Sequence, residues 1–225
     1  MDAWIDLTKP LDETTAIYAE GPYRDPDFAA ELWASHAAHG YEVWRLELGT
    51  QSGTHIDAPR HFDLNGVTID ALRPEECMGS YRLVTVDDLS PTSEGPQSAT
   101  AMCHWNGVTA LVLDARPTGL TSSPQEPSHK TASAPRMLTT EAVEAVATCP
   151  CRLIVVIGEP SVAHSDPFYF HRRLAECGKF LVEDTREDSG ILPREGQIVA
   201  LPMRFTGLSG SPVDRKSTRL NSSHR

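Results

Sequence analysis

The sequence lacks two features that would direct a protein to or across a membrane. None of its 225 residues lie in an apolar run long enough to span a bilayer. The first residues, Met1–Asp6, contain no basic stretch followed by an apolar one, so they do not resemble a secretory leader. We therefore expect a cytoplasmic protein with no membrane partner.

Basic residues are also scarce. Lysine and arginine total 20 against 31 aspartates and glutamates, which gives a formal net charge of −11. A surface with this balance repels phosphate backbones and anionic lipid, so nucleic acid is not an expected partner. Because net charge does not identify a substrate, we expect only that the partner is a small molecule.

The five cysteines do not form a recognisable disulfide or zinc pattern. They stand at positions 77, 103, 149, 151 and 177, an odd number without any Cys-x-x-Cys pair. A reducing compartment is the simplest explanation. Cys149 and Cys151 precede an apolar run and are interpreted as connecting or core residues.

Strand-like and helix-like segments alternate along the chain, which predicts an α/β fold. The length suits one domain with one sizeable core. A Ser-, Thr- and Pro-rich stretch, Pro117–Pro135, predicts a long exposed loop. The predicted strands are Trp4–Leu7, Tyr41–Leu48, Tyr81–Val86, Thr109–Leu113 and Leu153–Ile157, and the predicted helices are Asp27–Ala38 and Thr139–Ala147.

One short segment concentrates potential metal ligands. Gln51, His55, Asp57 and His61 are separated by even numbers of positions, so they would share one face of a straight strand. Gly53 and Pro59 stand between them. A straight strand of this length would extend over roughly 33 Å, too far for one ion, so the chain must turn. Glycine and proline both favour such a turn. Histidine and aspartate suit zinc or manganese, although a polar loop would have the same composition.

A second pair of candidate ligands lies in the carboxy-terminal half. His171 begins a short helical stretch that ends at Gly178, and Glu183 ends the apolar strand that follows. A helix that doubles back on a strand can bring these two side chains together. Taken alone, the pair could equally be an exposed histidine and a surface glutamate.

The segment from Gln51 to His61 resembles the His-x-Gly-Thr-His-x-Asp-x-Pro-x-His signature of the cyclase-like metal-dependent hydrolases, the family of bacterial kynurenine formamidase and isatin hydrolase. The resemblance extends from Trp4 to Val213. It implies a single-domain mixed layered sheet of the swivelling β/β/α type, packed by helices, and a homodimer or homotetramer. It also implies hydrolysis of an amide, cyclic amide or ester with one or two divalent ions, zinc or manganese.

The same resemblance implies a role for each residue of the site. His55 and Asp57 would be metal ligands, with the carboxylate able to bridge two ions, and His61 would be the catalytic acid and base. His171 and Glu183 keep the spacing of the pair that completes the second metal position.

Gln51 departs from the signature, because it stands where the family has its first histidine. It could bind metal through its amide oxygen, leave the site with a single ion, or contact the substrate. Two other classes of function stay open: a ring-forming cyclase of small-molecule biosynthesis, and a binding protein that has kept the fold without the chemistry.

The last residues differ in character from the rest. Asp214–Arg225 is polar and basic in an acidic protein, where relatives continue into an apolar strand. We therefore expect the domain to comprise residues 1–213 and residues 214–225 to be a foreign or disordered tail.

Overall fold

The computed structural model describes residues 3–20, 22–89, 107–116, 137–186 and 192–219. Its helices are α1 (His36–His39), α2 (Pro74–Cys77), α3 (Thr140–Thr148) and α4 (Tyr169–Glu176). Its strands are β1 (Ala3–Asp6), β2 (Ala19–Glu20), β3 (Tyr23–Arg24), β4 (Ala29–Ala34), β5 (Val43–Glu47), β6 (His55–Asp57), β7 (Met78–Thr85), β8 (Ala110–Asp114), β9 (Met137–Leu138), β10 (Leu153–Ile157), β11 (Ser161–Val162), β12 (Phe180–Glu183), β13 (Glu195–Pro202) and β14 (Gly210–Arg219).

The main sheet closes on itself. Seven strands follow one another in the order β14-β13-β7-β8-β10-β12-β6, and β6 pairs again with β14. Strands β7, β8, β10 and β12 run parallel to one another. The other four pairings in the ring are antiparallel: β14 with β13, β13 with β7, β12 with β6, and β6 with β14. Strand β1 attaches to β14 at the outside of the ring. The structure is therefore a mixed, barrel-like α/β domain, which confirms the predicted fold class.

Strands β8 and β10 show why the barrel is stable. Both are continuous apolar runs, as expected for strands that are covered on both faces. Because side chains alternate along a strand, Val112 and Val155 belong to one buried cluster with Ile56 and Tyr81. The intervening residues point to a second cluster, which includes residues of α3 and α4.

Helix α3 forms as its sequence predicts. Thr139 caps it, since its Oγ1 accepts a hydrogen bond of 3.2 Å from the Ala142 amide. Val143 and Val146 face the sheet and are fully buried. The predicted helix Thr139–Ala147 is thus confirmed, and so are the five predicted strands, with small differences at their ends.

The predicted helix Asp27–Ala38 is wrong. Half of this segment is strand β4, which pairs antiparallel with β5, and only α1 at its end is helical. The alanines favour a helix locally, but pairing with β5 supplies cross-strand contacts that a helix would not make. The predicted loop Pro117–Pro135 lies outside the described residues.

Part of the expected tail is ordered. Residues 214–219 form the second half of β14, paired with β13 and β1. Residues 220–225 lie outside the described residues, and the foreign origin of the whole segment stays a prediction. In the described part of the chain, no helix is long and apolar enough to cross a membrane.

Candidate metal centre

The candidate site is built around β6, which lies between β12 and β14 in the barrel. Antiparallel pairing places His55 directly opposite Glu183 on β12, and Asp57 opposite Leu181. On the other side, β14 places Pro212 opposite His55 and Gly210 opposite Asp57. Residues that are far apart in the sequence therefore become neighbours through strand register alone.

The turn that precedes β6 has the geometry the sequence predicts. Gly53 has φ of 58°, and a Cβ at this position would lie 2.6 Å from Cδ2 of Leu11. Only glycine adopts this conformation in this space. Thr54 fixes the strand that follows, since its Oγ1 donates to the Asp184 carbonyl at 2.9 Å. After β6, Pro59 begins a 3-10 turn that ends at His61.

Glu183 lies between two imidazoles. Its Oε1 is 3.2 Å from Nε2 of His55, and its Oε2 is 3.0 Å from Nε2 of His171. Nε2 of His55 is also 3.5 Å from Oδ1 of Asp57. Nδ1 of His55 lies 2.8 Å from the Gly53 carbonyl, and this contact directs the other ring nitrogen toward the carboxylates.

These contacts change the acidity of each group. Burial alone would lower the pKa of His55, but the hydrogen bond to Glu183 and the charge of Asp57 raise it to about 9. Burial works in the opposite sense on Glu183, yet hydrogen bonds from His171 and His55 hold the pKa of its carboxyl well below the usual range. Burial raises the pKa of Asp57. Without an ion, a protonated His55 therefore compensates part of the carboxylate charge.

The donor set fits a divalent metal ion. His55, Asp57 and Glu183 each offer a ligand atom, and these atoms all lie within 4.8 Å of one another. Oδ2 of Asp57 and Nδ1 of His171 are buried, and no described residue forms a hydrogen bond with either atom. An unpartnered buried carboxylate oxygen is costly unless something binds it. Imidazole and carboxylate together suit zinc or manganese, whereas a softer ion would prefer sulfur.

Comparison with known proteins identifies the family. Residues 5–152 match the Cyclase family model, which is well over half of the chain. The protein belongs to the cyclase family. The family predicted from the sequence is therefore confirmed.

Two curated relatives match this cyclase-family protein over nearly its full length and theirs. The kynurenine formamidases of Bacillus cereus and Bacillus mycoides are each 27% identical to it over 214 residues, which is 93% of this chain and 94% of theirs. Among solved structures, isatin hydrolase A from Labrenzia aggregata matches with a TM-score of 0.70 and 17% identity, covering 98% of this chain and 94% of that one. Isatin hydrolase A from Ralstonia solanacearum matches with a TM-score of 0.70 and 19% identity, with coverage of 97% and 92%.

The two remaining members of the cyclase signature lie at the edge of the cluster. Gln51 is half-buried, and its Nε2 lies 3.4 Å from Oδ1 of Asp57. His61 is exposed on the 3-10 turn. It lies near enough to Asp57 for its charge to favour the ionised form of the Asp57 carboxylate. The structure thus brings His55, Asp57, His171 and Glu183 together, and places Gln51 and His61 beside them.

Two aromatic residues beside the site were not among the predicted site residues. The Phe62 ring lies 5.0 Å from the His171 ring and 4.5 Å from the His61 ring, and Phe168 packs on Phe62 at 5.6 Å. Two signals were available in the sequence: Phe62 directly follows the signature, and the adjacent aromatics Phe168, Tyr169 and Phe170 precede His171 and could be either pocket wall or core. Of the aromatics around 168–170, Phe170 is core, so the sequence alone could not separate wall from core.

Proposed function

We propose that the protein is a metal-dependent hydrolase that cleaves a carbon–nitrogen bond of a small amide or cyclic amide, or an ester. The observation that carries the proposal is the cluster of His55, Asp57 and Glu183, with His171 3.0 Å from Glu183. Oδ2 of Asp57 and Nδ1 of His171 are buried there without a hydrogen-bond partner among the described residues. The relatives named as a formamidase and as isatin hydrolases support the same reaction class.

The chain's own residues have separable roles in this proposal. His55, Asp57, His171 and Glu183 would hold the ion, which we propose to be zinc or manganese. Such an ion, when bound, polarises a carbonyl and makes water more acidic. The backbone carbonyl of Gly53 keeps Nε2 of His55 turned inward. His61 carries an imidazole at the exposed edge, from which it can take a proton from water and return it to the leaving nitrogen or oxygen.

The walls of the site favour an apolar or aromatic substrate. Behind Asp57 lies a cavity with room for only about one water molecule, lined by Phe62, His171, Leu174 and Lys179, among others. Phe62 and Phe168 present ring surfaces against which a planar group can stack. Because these side chains offer few polar atoms, orientation of a substrate would depend on the metal centre and on His61.

The direct test is metal analysis of the purified protein, followed by hydrolysis assays on N-formylkynurenine and isatin with and without chelator. We expect bound metal and turnover that the chelator abolishes. Glu183→Gln should lose both, because it removes the charge between the two imidazoles. The matched control is Glu195→Gln, since the Glu195 side chain is exposed on β13 and pairs with Arg82. A metal-free protein that zinc and manganese do not activate would contradict the proposal.

We also propose a cytoplasmic homodimer or homotetramer. The hairpin of β4 and β5 supports assembly, because Leu32, Trp33, Trp44 and Leu46 are all exposed on it. Light scattering should report a dimer or tetramer, and Trp33→Ser with Trp44→Ser should shift it toward the monomer. An assembly state that this double substitution leaves unchanged would contradict a role for the hairpin. The cysteines of the described region are free thiols, in keeping with a reducing compartment.

A further inference from the structure

We infer that Gln51 is not a metal ligand but positions Asp57 through its amide nitrogen, so that the centre binds one divalent ion per chain. This inference rests on the proposed metal-dependent function. It follows from three features of position 51: the direction of the amide, the space around it, and the number of donor atoms that remain.

The contacts of the amide fix its direction. Oε1 of Gln51 accepts a hydrogen bond from Oγ1 of Thr50 at 2.5 Å, and Nε2 faces Oδ1 of Asp57 at 3.4 Å. A carboxylate that binds metal is ionised and can only accept hydrogen bonds. Rotating the amide by half a turn would place its oxygen against that carboxylate, with repulsion in place of attraction.

The space around the amide keeps it in this place. An ideal Cβ built at Gly210 would lie 2.5 Å from Nε2 of Gln51, so the amide packs directly on the backbone of β14. Gly210 is also the cross-strand neighbour of Asp57. The amide nitrogen of Gln51 therefore lies between the paired backbone of β14 at Gly210 and the Asp57 carboxylate.

The remaining donors suffice for one ion. An amide nitrogen has no available lone pair, so Gln51 in this orientation adds no ligand. Oδ1 of Asp57 is approached by both Gln51 and His55, which leaves Oδ2 as its unpartnered oxygen. Glu183 is shared between the two imidazoles. Two histidines and two carboxylates provide the three or four ligands of a single zinc-type site, while two ions with three protein ligands each, sharing a bridging Asp57, would need five donor residues.

The test is metal stoichiometry, which does not depend on turnover. Wild-type protein, Gln51→His and Gln51→Leu are saturated with Zn²⁺, freed of excess and analysed for metal per chain, with circular dichroism to confirm folding. We expect one ion for the wild type and two for Gln51→His, since an imidazole restores the missing ligand. Gln51→Leu should keep one ion, with weaker affinity, because it loses the hydrogen bond to Asp57 but no ligand. Visible absorption of the Co²⁺-loaded proteins should show the same one-to-two change.

Three results would overturn the inference. Two ions in the wild type would show that Gln51 does not limit the site. One ion in a folded Gln51→His variant would lead to the same conclusion. Loss of all metal from folded Gln51→Leu would show that Gln51 is a ligand. Absence of metal from the wild type and from every variant would instead refute the proposed metal-dependent function, on which the inference rests.

Discussion

Arg215 provides the sharpest prediction for stability. It lies on β14 between Val213 and Ser217, and its side chain is 0% exposed. Within the described part of the chain, all three of its guanidinium nitrogens are buried without a hydrogen-bond partner. The interior cluster of the barrel contains Val213 and also Tyr81, which lies near enough to affect the charge of Arg215. Replacing this arginine by leucine should therefore stabilise the protein.

The magnitude follows from the cost of burying the charge. Burial lowers the pKa of Arg215 from 12.5 to about 9. At roughly 1.4 kcal/mol per pKa unit, this corresponds to a penalty of about 5 kcal/mol. An unpaired buried ion is known to cost several kcal/mol, which agrees. Because the barrel must adjust to the smaller leucine, we expect the free energy of unfolding to increase by about 3 kcal/mol.

Urea denaturation of wild type and Arg215→Leu measures this difference, with an unchanged slope as the check on two-state unfolding. Lys216→Leu is the matched control, because Lys216 is the next residue, pairs with Asp6 and Asp214, and is partly exposed. We expect the control to change stability by no more than about 0.5 kcal/mol. The pKa of Arg215 is lowered on folding, so its penalty is complete below pH 9 and decreases at higher pH. An Arg215→Leu protein that is no more stable than wild type would refute the reasoning.

Three further predictions concern the site. The pKa of His55 is raised to about 9 in the metal-free protein, so a metal ion must displace its proton. Apparent Zn²⁺ affinity should therefore increase about tenfold per pH unit from pH 7 to 9 and then level off. Competition titrations that show no pH dependence of the affinity would contradict this. Gly210→Ala places a Cβ 2.5 Å from Nε2 of Gln51 and 2.9 Å from the Ile56 carbonyl; denaturation should show a loss of about 1–3 kcal/mol, smaller when Gln51 is also alanine. Phe62→Ala should raise the KM for an aromatic substrate about tenfold at unchanged metal content, and an unchanged KM would exclude Phe62 as a substrate wall.

The pair of candidate ligands on β6 could be predicted from local geometry, whereas the rest of the candidate site was predicted only from the family resemblance. His55 and Asp57 are two apart on one strand, and the glycine and proline around them indicate the turns. Glu183 was predicted to end an apolar strand after a short helix, but only the family resemblance implied that it binds metal. The sequence could not show that Glu183 faces His55 as well as His171, because that contact depends on which strands pair.

The hairpin of β4 and β5 shows where local patterns fail. Ala29, Ala30 and Ala34 favour a helix when the segment is read alone. The strand forms because Ala30 and Leu32 lie opposite Leu46 and Trp44. Such pairing between two separate segments cannot be predicted from the sequence of either segment alone. Closure of the barrel is nonlocal in the same way, since β6 and β14 are separated by most of the chain.

The end of β14 separates backbone requirements from side-chain requirements. Its backbone is hydrogen-bonded to β13 on one side and to β6 and then β1 on the other. Buried backbone groups must be paired, so the closed barrel favours a strand here whatever the side chains are. The side chains then fit poorly, because Arg215 and Ser217 both have buried polar atoms for which the described residues supply no partner. Residues 214–219 therefore form a strand despite their polar composition, from which a disordered tail was expected. A foreign origin of residues 214–225, which stays a prediction, would explain why apolar substitution at 215 is expected to stabilise the fold.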